Sequence, residues 1–351
     1  MYEAKSFELK EGQKVSVSDF PRVSLAHTPT PLEPMPNLTR LLGGPDLLVK
    51  RDDCTGLAMG GNKARQLEFY LGEAMAQKAD TVIITGAIQS NFTRQTAAAA
   101  AKLGMACHIQ LEHRVPTTAP EYEASGNVLL DRLLGPTIHY FSEGEDEASA
   151  DKALDDIADQ VRAEGGNPYV IHLSADHPPL GALGYVVGAG EFLDQAAERG
   201  LAIDAVVLPS GSAATHAGVL VGLKSRNSDI EVTGVCVRRN KDQQFERVLR
   251  QAIATAEMAG CPGAVTKDDI HVTDDYLGPG YGQSTPEMLE AMTLAAREEG
   301  LILDPVYTGK SMAGLIGMVR SGHFKSGQTV LYLHTGGTPA VFGYSSIFGD
   351  L

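Results

Sequence analysis

The chain contains few cysteines, and they are scattered. Cys54, Cys107, Cys236 and Cys261 form no C-x-x-C pair, which argues against a zinc ribbon or a disulfide framework and fits reduced cytosolic thiols. No run of about 18 apolar residues occurs, so no membrane-spanning helix is expected. The opening MYEAKSFELKEGQKVSVSDFPRVSLAHTPT lacks the apolar stretch of a secretory signal, and a cytoplasmic protein is the expectation. Positive charge is also scarce: 29 basic residues against 44 acidic leave a net charge of −15, which repels polyanions and argues against nucleic acid as a partner. A local site can still oppose that sign and hold a small anion. The ten histidines show no H-E-x-x-H or comparable ligand spacing, so no metal site is expected.

What is present is a chain of 351 residues with 43% hydrophobic and 21% charged residues, enough for roughly two globular domains. Short β-branched runs alternate with amphipathic or alanine-rich segments, the pattern of β-α units around parallel sheets. Strands are expected near 46–51, 80–85, 105–111, 137–141, 169–173, 204–209, 231–237 and 329–334. Helices are expected over 62–77, 91–103, 146–163, 180–199, 213–224, 241–258, 284–299 and 309–320. DTVIITG and DAVVLPSG are continuous apolar runs ending in glycine-containing turns, as strands covered on both faces should be. Ligands collect beyond the carboxyl ends of such strands, so the segments that follow them are the place to look. The stretch around Gly60 and the loop SADHPPLG at 174–181 are candidate crossings. They divide the chain into a larger discontinuous domain, 1–64 with 176–351, and a smaller inserted one, 65–175.

Four segments carry chemistry-bearing residues. In KRDDCTGLAMGGNKARQLEF, two glycines and Asn62 precede Lys63 at a helix start, where the macrodipole disfavours a cation and eases deprotonation to a nucleophilic amine. A solvated first-turn lysine is the alternative. TGAIQSNFTRQ places Gln89, Ser90 and Asn91 at the next helix start, where they can cap the helix, bind an anion, or do both. SGSAATHAG at 210–218 can cradle a phosphate on its N–H groups or form a tight structural turn, with His216 packed or capping. It spells neither a Walker A loop nor G-x-G-x-x-G. GYGQSTPEM and LDPVYTGKSM set Tyr281 and Tyr307 beside glycines, and LYLHTGGTPA closes the last strand with Thr335.

Together GGNK, QSN-x-x-RQ-x-AA, LGALGY and DPVY-x-GK resemble the family of 1-aminocyclopropane-1-carboxylate deaminases and D-cysteine desulfhydrases, which includes L-cysteate sulfo-lyases. The likeness runs from TPTPLEPMPNLTRLLGG to HTGGTPAVFGY. It implies a pyridoxal 5'-phosphate enzyme of fold type II, the tryptophan-synthase β-like fold: an α/β protein with two open twisted parallel-sheet domains and helices on both faces, the larger domain binding the cofactor. A homodimer is implied as well. By position, Lys63 becomes the lysine that takes the cofactor's aldehyde and Asn91 the partner of its phenolic oxygen. Gly211, Ser212, Ala213, Ala214 and Thr215 become the phosphate cup, with Thr308 and Thr335 on the cofactor's remaining edge. Gln89, Ser90 and Asn91 would surround the substrate carboxylate, and Ser90, Tyr281 and Tyr307 would face the reacting carbon.

Thr308 departs from the deaminase pattern, which has a glutamate after the tyrosine of DPVY. A neutral residue there makes a shallower electron sink, sufficient for β-elimination of a good leaving group. A carbon-sulfur lyase acting on D-cysteine or L-cysteate is therefore the expectation. A cyclopropane deaminase is the alternative within the family, and a non-catalytic small-ligand-binding protein the alternative outside it. Phe92 stands where relatives have a polar residue, and Asp176 and His177 replace a glycine-and-serine approach to LGALGY. Phe92 and His177 are thus candidate substrate contacts, with His177 offering a hydrogen bond to a sulfonate or carboxylate.

Overall fold

The computed structural model describes residues 16–349 apart from Thr118, Glu145, Ala175 and Asp176. In chain order the elements are β1 (Leu32–Pro34), α1 (Pro36–Leu42), β2 (Asp46–Arg51), α2 (Lys63–Ala76), β3 (Thr81–Ala87), α3 (Asn91–Leu103), β4 (Ala106–Glu112), α4 (Gly126–Leu134), β5 (Thr137–Phe141), α5 (Glu147–Ala163) and β6 (Pro168–Ile171). They continue with α6 (Leu183–Glu198), β7 (Ala205–Ser210), α7 (Ala214–Lys224), β8 (Glu231–Cys236), α8 (Lys241–Met258), β9 (His271–Thr273), α9 (Pro286–Glu299), α10 (Thr308–Arg320), β10 (Thr329–His334) and α11 (Ala340–Gly343). Two sheets result, in two α/β domains. One is six-stranded in the order β1-β2-β10-β7-β8-β9, and the other four-stranded in the order β5-β4-β3-β6. Every pairing is parallel except β1 with β2.

Alternation along the strands of the larger sheet sends side chains to opposite faces. Leu48, Val206, Leu208, Leu331 and Leu333 pack against Tyr185 and Phe192 of α6 and Val219 and Leu220 of α7. Leu47, Val49, Val207, Val330 and Tyr332 meet Met288 and Met292 of α9 and Met312, Leu315 and Ile316 of α10. In the smaller sheet, Val82, Ile84, Ile109 and Leu111 pack with Leu67 and Leu71 of α2 and Ala99 of α3, while Ile83 faces Leu154 and Ala158 of α5. Each buried Leu, Val or Ile contributes about 1.5–3 kcal/mol, and cover on both faces explains the unbroken apolar runs of β3 and β7.

All eight expected strands are present, with β2, β5 and β10 matching to the residue. The three-residue β1 and β9, the short α1 and α11 and the nine-residue α4 fall outside the expectation. The helix expected from 180 opens instead as a 3-10 turn over Leu180–Ala182, just past Pro178 and Pro179, before α6 proper. The expected domain boundary at 175/176 lies outside the described residues, as does Asp176.

Candidate active site

A cleft of about 920 Å³, its open mouth included, lies at the carboxyl ends of β3, β7 and β10. Its floor begins with the turn before α2. Gly60 has φ +70° and Gly61 φ +122°, and a Cβ on Gly60 would stand 1.9 Å from the Asp53 carbonyl oxygen, so only glycine lets the chain double back here. Lys63 follows as the first residue of α2. It is half-buried, and loss of water lowers its pKa to about 8. Its Nζ reaches Gln66 Oε1 at 3.3 Å and stands 4.7 Å from the Phe92 ring centroid. Two residues on, the buried Arg65 fixes this helix by bonding both oxygens of Asp52 and both of Glu191.

The start of α3 forms one wall. Ser90 is its N-cap, and its Oγ accepts from the N–H groups of Phe92 and Thr93, which leaves the hydroxyl proton to donate. Asn91 Oδ1 accepts from Asn127 Nδ2 at 3.1 Å and Arg94 Nη1 at 3.3 Å, so its Nδ2 is the group left for a ligand. Arg94 also donates to the Gly60 carbonyl oxygen at 2.8 Å, tying this wall to the lysine turn. Ser90, Asn91 and Phe92 line the cleft. Gln89 does not: its Nε2 donates to the carbonyls of Tyr122 and Ser125, and its Oε1 accepts from Asn127 N–H.

The opposite wall is the turn into α7. Ala213 adopts φ +78°, the helix has no side-chain cap, and Gly211, Ser212, Ala213 and Thr215 line the cleft with the helix N–H groups uncapped behind them. Thr215 Oγ1 accepts from Asn62 Nδ2 and Gln66 Nε2, both at 2.9 Å, so its own proton is free to donate. Ala214 lines a smaller neighbouring pocket instead. His216 is buried 3.1 Å from Ser210 Oγ, and burial pushes its pKa down to about 3, which keeps it neutral.

Tyr281 and Tyr307 meet over the cleft with their hydroxyls 2.7 Å apart and their rings edge to face. Burial pushes both phenols up, Tyr281 well above its ordinary value, so both stay protonated. Thr335 lines the cleft, but Thr308 does not: its hydroxyl bonds the Asp304 carboxylate at 2.7 Å and receives the Asp304 N–H. His177 lies in the neighbouring pocket, stacked on His172 at 3.9 Å between ring centroids and 3.6 Å from Asp151. The structure thus assembles Lys63, Ser90, Asn91, Phe92, Gly211, Ser212, Ala213, Thr215, Tyr281, Tyr307 and Thr335, and leaves Gln89, Ala214, Thr308 and His177 off the cleft wall.

Sequence reasoning missed the arginines. Arg114, Arg238 and Arg247 line the cleft, together with Glu147. Arg114 and Arg238 each stand two residues beyond a parallel strand, β4 and β8, where ligand-binding residues gather, and that position was the available signal.

A lysine amine with lowered pKa and an uncapped helix start line one cleft in a two-domain α/β fold, an arrangement suited to an enzyme that holds a phosphorylated aldehyde cofactor. Pyridoxal phosphate fits this donor set. Lys63 Nζ suits the aldehyde, and the α7 N–H groups with the Thr215 hydroxyl suit the phosphate. Asn91 Nδ2 remains for an oxygen on the ring. The model of the family of pyridoxal-phosphate dependent enzymes matches residues 23–336, and the chain belongs to that family. It is 46% identical over 327 residues to a D-cysteine desulfhydrase of Salmonella choleraesuis (strain SC-B67), covering 93% of this chain and 96% of the relative. The D-cysteine desulfhydrase of Salmonella typhi is 45% identical over the same shares. A crystal structure of an ACC deaminase homologue superposes with a TM-score of 0.84 at 36% identity, over 94% of this chain and 96% of that one. A crystal structure of a threonine deaminase shares the fold, with a TM-score of 0.62 at 20% identity over 88% of this chain and 92% of that one.

Proposed function

We propose that the protein is a carbon-sulfur lyase that eliminates a sulfur substituent from the β-carbon of an amino acid. D-cysteine would give pyruvate, ammonia and sulfide; L-cysteate would give pyruvate, ammonia and sulfite. The observation that carries this reading is Lys63, an amine of pKa about 8 that shares one cleft with the uncapped start of α7 and the Tyr281–Tyr307 pair. The likeness to D-cysteine desulfhydrases supports the choice of a sulfur leaving group.

Pyridoxal phosphate, when bound, supplies the electron sink at the substrate's α-carbon. Lys63 Nζ would hold the aldehyde and is suited to take the substrate's α-proton, as an amine that loses its proton near neutrality. Ser90, at the positive end of α3, donates its hydroxyl proton to the substrate carboxylate. Phe92 excludes water beside Lys63. Tyr281 and Tyr307 share one hydrogen bond and keep a further phenolic proton for the substrate's reacting end. Gly211, Ser212, Ala213 and Thr215, with the N–H of Ala214 at the helix start behind them, would hold the phosphate, Asn91 the phenolic oxygen and Thr335 a remaining edge of the cofactor. The larger domain is taken as 1–64 with 176–351 and the smaller as 65–175. Support comes from strand membership, since the six-stranded sheet draws on 32–51 and 205–334 and the four-stranded sheet on 81–171. A homodimer in the cytoplasm completes the reading.

A second reading, 1-aminocyclopropane-1-carboxylate deaminase, is favoured by the likeness to the ACC deaminase homologue. It differs in product, 2-oxobutyrate in place of pyruvate. The test is product analysis with cofactor-loaded wild-type and Lys63→Ala protein. Pyruvate matched by sulfide or sulfite is expected from the wild type alone. Undiminished pyruvate from Lys63→Ala would remove the lysine from the chemistry.

A further inference from the structure

The cleft carries more positive charge than this chemistry uses. Arg238, Arg239 and Arg247 converge on the carboxylate of Glu147, with Arg238 Nη1 at 2.9 Å and Arg247 Nη1 at 3.0 Å, and Arg238 Nη2 also reaches the Gly144 carbonyl oxygen at 3.5 Å. Arg239 and Arg247 also donate to the carbonyls of Gly211 and Ser212, so these two brace the turn assigned to the phosphate. Arg238 instead lines the same cleft as Arg114, Tyr281 and Tyr307; the charges of both arginines bear on the Tyr307 hydroxyl, and that of Arg114 on Tyr281 too. Both arginines are largely withdrawn from solvent, with side-chain exposures of 8% for Arg114 and 9% for Arg238. Arg114 engages Glu112 Oε2 through Nε at 2.8 Å and Nη2 at 2.7 Å, and its Nη1 makes no hydrogen bond to the described residues. One arginine is thus supplied by the carboxyl edge of each sheet, and both line the cleft that the two tyrosines share.

Desolvating guanidinium groups is costly, and in a chain of net charge −15 such a cluster opposes the sign of the molecule. A cysteine thiol, neutral below about pH 8.5, gives those charges nothing to bind. A sulfonate is a permanent anion with three acceptor oxygens that suit the guanidinium fork. We propose that Arg114 and Arg238 bind a sulfonate on the substrate's β-carbon, so that the substrate is cysteate rather than cysteine. The inference rests on the carbon-sulfur lyase reading above. The α-proton leaves, the Cβ–S bond breaks with its electron pair going to sulfur, and water replaces nitrogen. Cysteate and water become pyruvate, ammonium and hydrogensulfite, with no oxidant or reductant needed. The sulfur group gains negative charge as it departs, so cations placed there stabilise the transition state more than the ground state. His177, the histidine expected to read a sulfonate, lies outside this cleft, and the arginine pair takes that role.

The test compares L-cysteate, D-cysteate and D-cysteine with the cofactor-loaded protein, measuring sulfite, sulfide and pyruvate. Sulfite matched by pyruvate, with kcat/KM about tenfold or more above that for cysteine, is expected. Sulfide from D-cysteine without sulfite from either cysteate overturns the sulfonate site and leaves the lyase reading standing. No product from any of the three overturns the lyase reading, and the sulfonate site is then judged by binding alone. For that, 3-sulfopropionate, which lacks the amino group and cannot react, is titrated against butanoate by calorimetry. Preferential binding of 3-sulfopropionate, weakened about tenfold in Arg238→Gln, supports the site, whereas equal binding of the two overturns it. With cysteate, Arg238→Gln and Arg114→Gln should raise KM about tenfold more than with 3-chloroalanine, whose β-substituent is neutral. Arg114→Lys, which keeps a cation beside Glu112, should recover part of the loss. Equal losses on the two substrates would overturn the assignment.

Discussion

The Lys310 ammonium donates to the Gly280 carbonyl oxygen at 2.7 Å and to that of Leu277 at the same distance. Tyr307 caps α10 and Lys310 lies in its first turn, so one helix presents one tyrosine directly and anchors the loop that carries the other. The 2.7 Å contact between the two phenols is therefore set by backbone carbonyls that Lys310 gathers. Lys310→Met should fold and lower kcat by about ten- to a hundredfold, the scale of a small misplacement at a reacting centre. Adding Tyr281→Phe to that variant should cost less than it costs the wild type, since both changes disable one unit. Additive losses in a steady-state double-mutant cycle would refute the positioning role.

The lowered pKa of Lys63 predicts a pH profile. Desolvation brings the amine to about 8, and only the neutral amine attacks an aldehyde. Cofactor uptake by the cofactor-free protein, followed by its visible absorbance, should rise with pH and level off just above about 8. An ordinary lysine would carry the rise to about 10.4. A profile that keeps climbing through pH 10 would contradict the desolvated amine.

Arg65 governs stability in acid. Burial by itself would raise the carboxyls of Asp52 and Glu191, but the charge and hydrogen bonds of Arg65, aided by Lys50, outweigh it and leave both lowered. Carboxylates with depressed folded-state pKa values contribute stability that is present above their unfolded values and lost as pH falls through the folded ones. Arg65→Met strands two buried carboxylates and should cost about 3–5 kcal/mol at neutral pH. The gap to the wild type should narrow as pH falls toward about 4, because stranded carboxyls raised by burial are protonated before the ordinary carboxylate range is reached. Urea unfolding at the two pH values measures this, and a gap that widened in acid would be the wrong sign.

Gln89 holds Asn127, and Asn127 in turn holds Asn91. Gln89→Ala should lower stability by about 1–3 kcal/mol, because it leaves the buried Asn127 N–H and the Tyr122 and Ser125 carbonyls without this partner. Its KM for substrate should change less than that of Ser90→Ala. A larger KM effect at Gln89 would return that side chain to the substrate.

The legible parts of this chain share a physical cause. A strand covered on both faces must be apolar throughout, and a helix start must satisfy its N–H groups, so β3, β7, Ser90 and the turn before α7 are readable locally. Lys63 was readable as a cation at a helix start, where the macrodipole disfavours it, and the resemblance supplied its role. Gln89 and Thr308 sit in equally suggestive motifs, yet Gln89 is taken by the loop before α4 and Thr308 by Asp304. His177 turned onto His172. In each case the deciding partner lies elsewhere in the chain or competes locally in a way the motif does not reveal.

By itself the sequence determined the α/β alternation, the parallel strands and the positions of a lysine and two helix starts, because each follows from burial and hydrogen-bond satisfaction over a few consecutive residues. The phosphorylated cofactor came from the family resemblance. Only the tertiary structure decided which side chains face the cleft, brought the Tyr281 and Tyr307 hydroxyls together, and set Arg114 from one sheet and Arg238 from the other in the wall of one cleft. Convergence between separate sheets depends on how they pack, and packing is decided by distant apolar contacts that leave no local period to read.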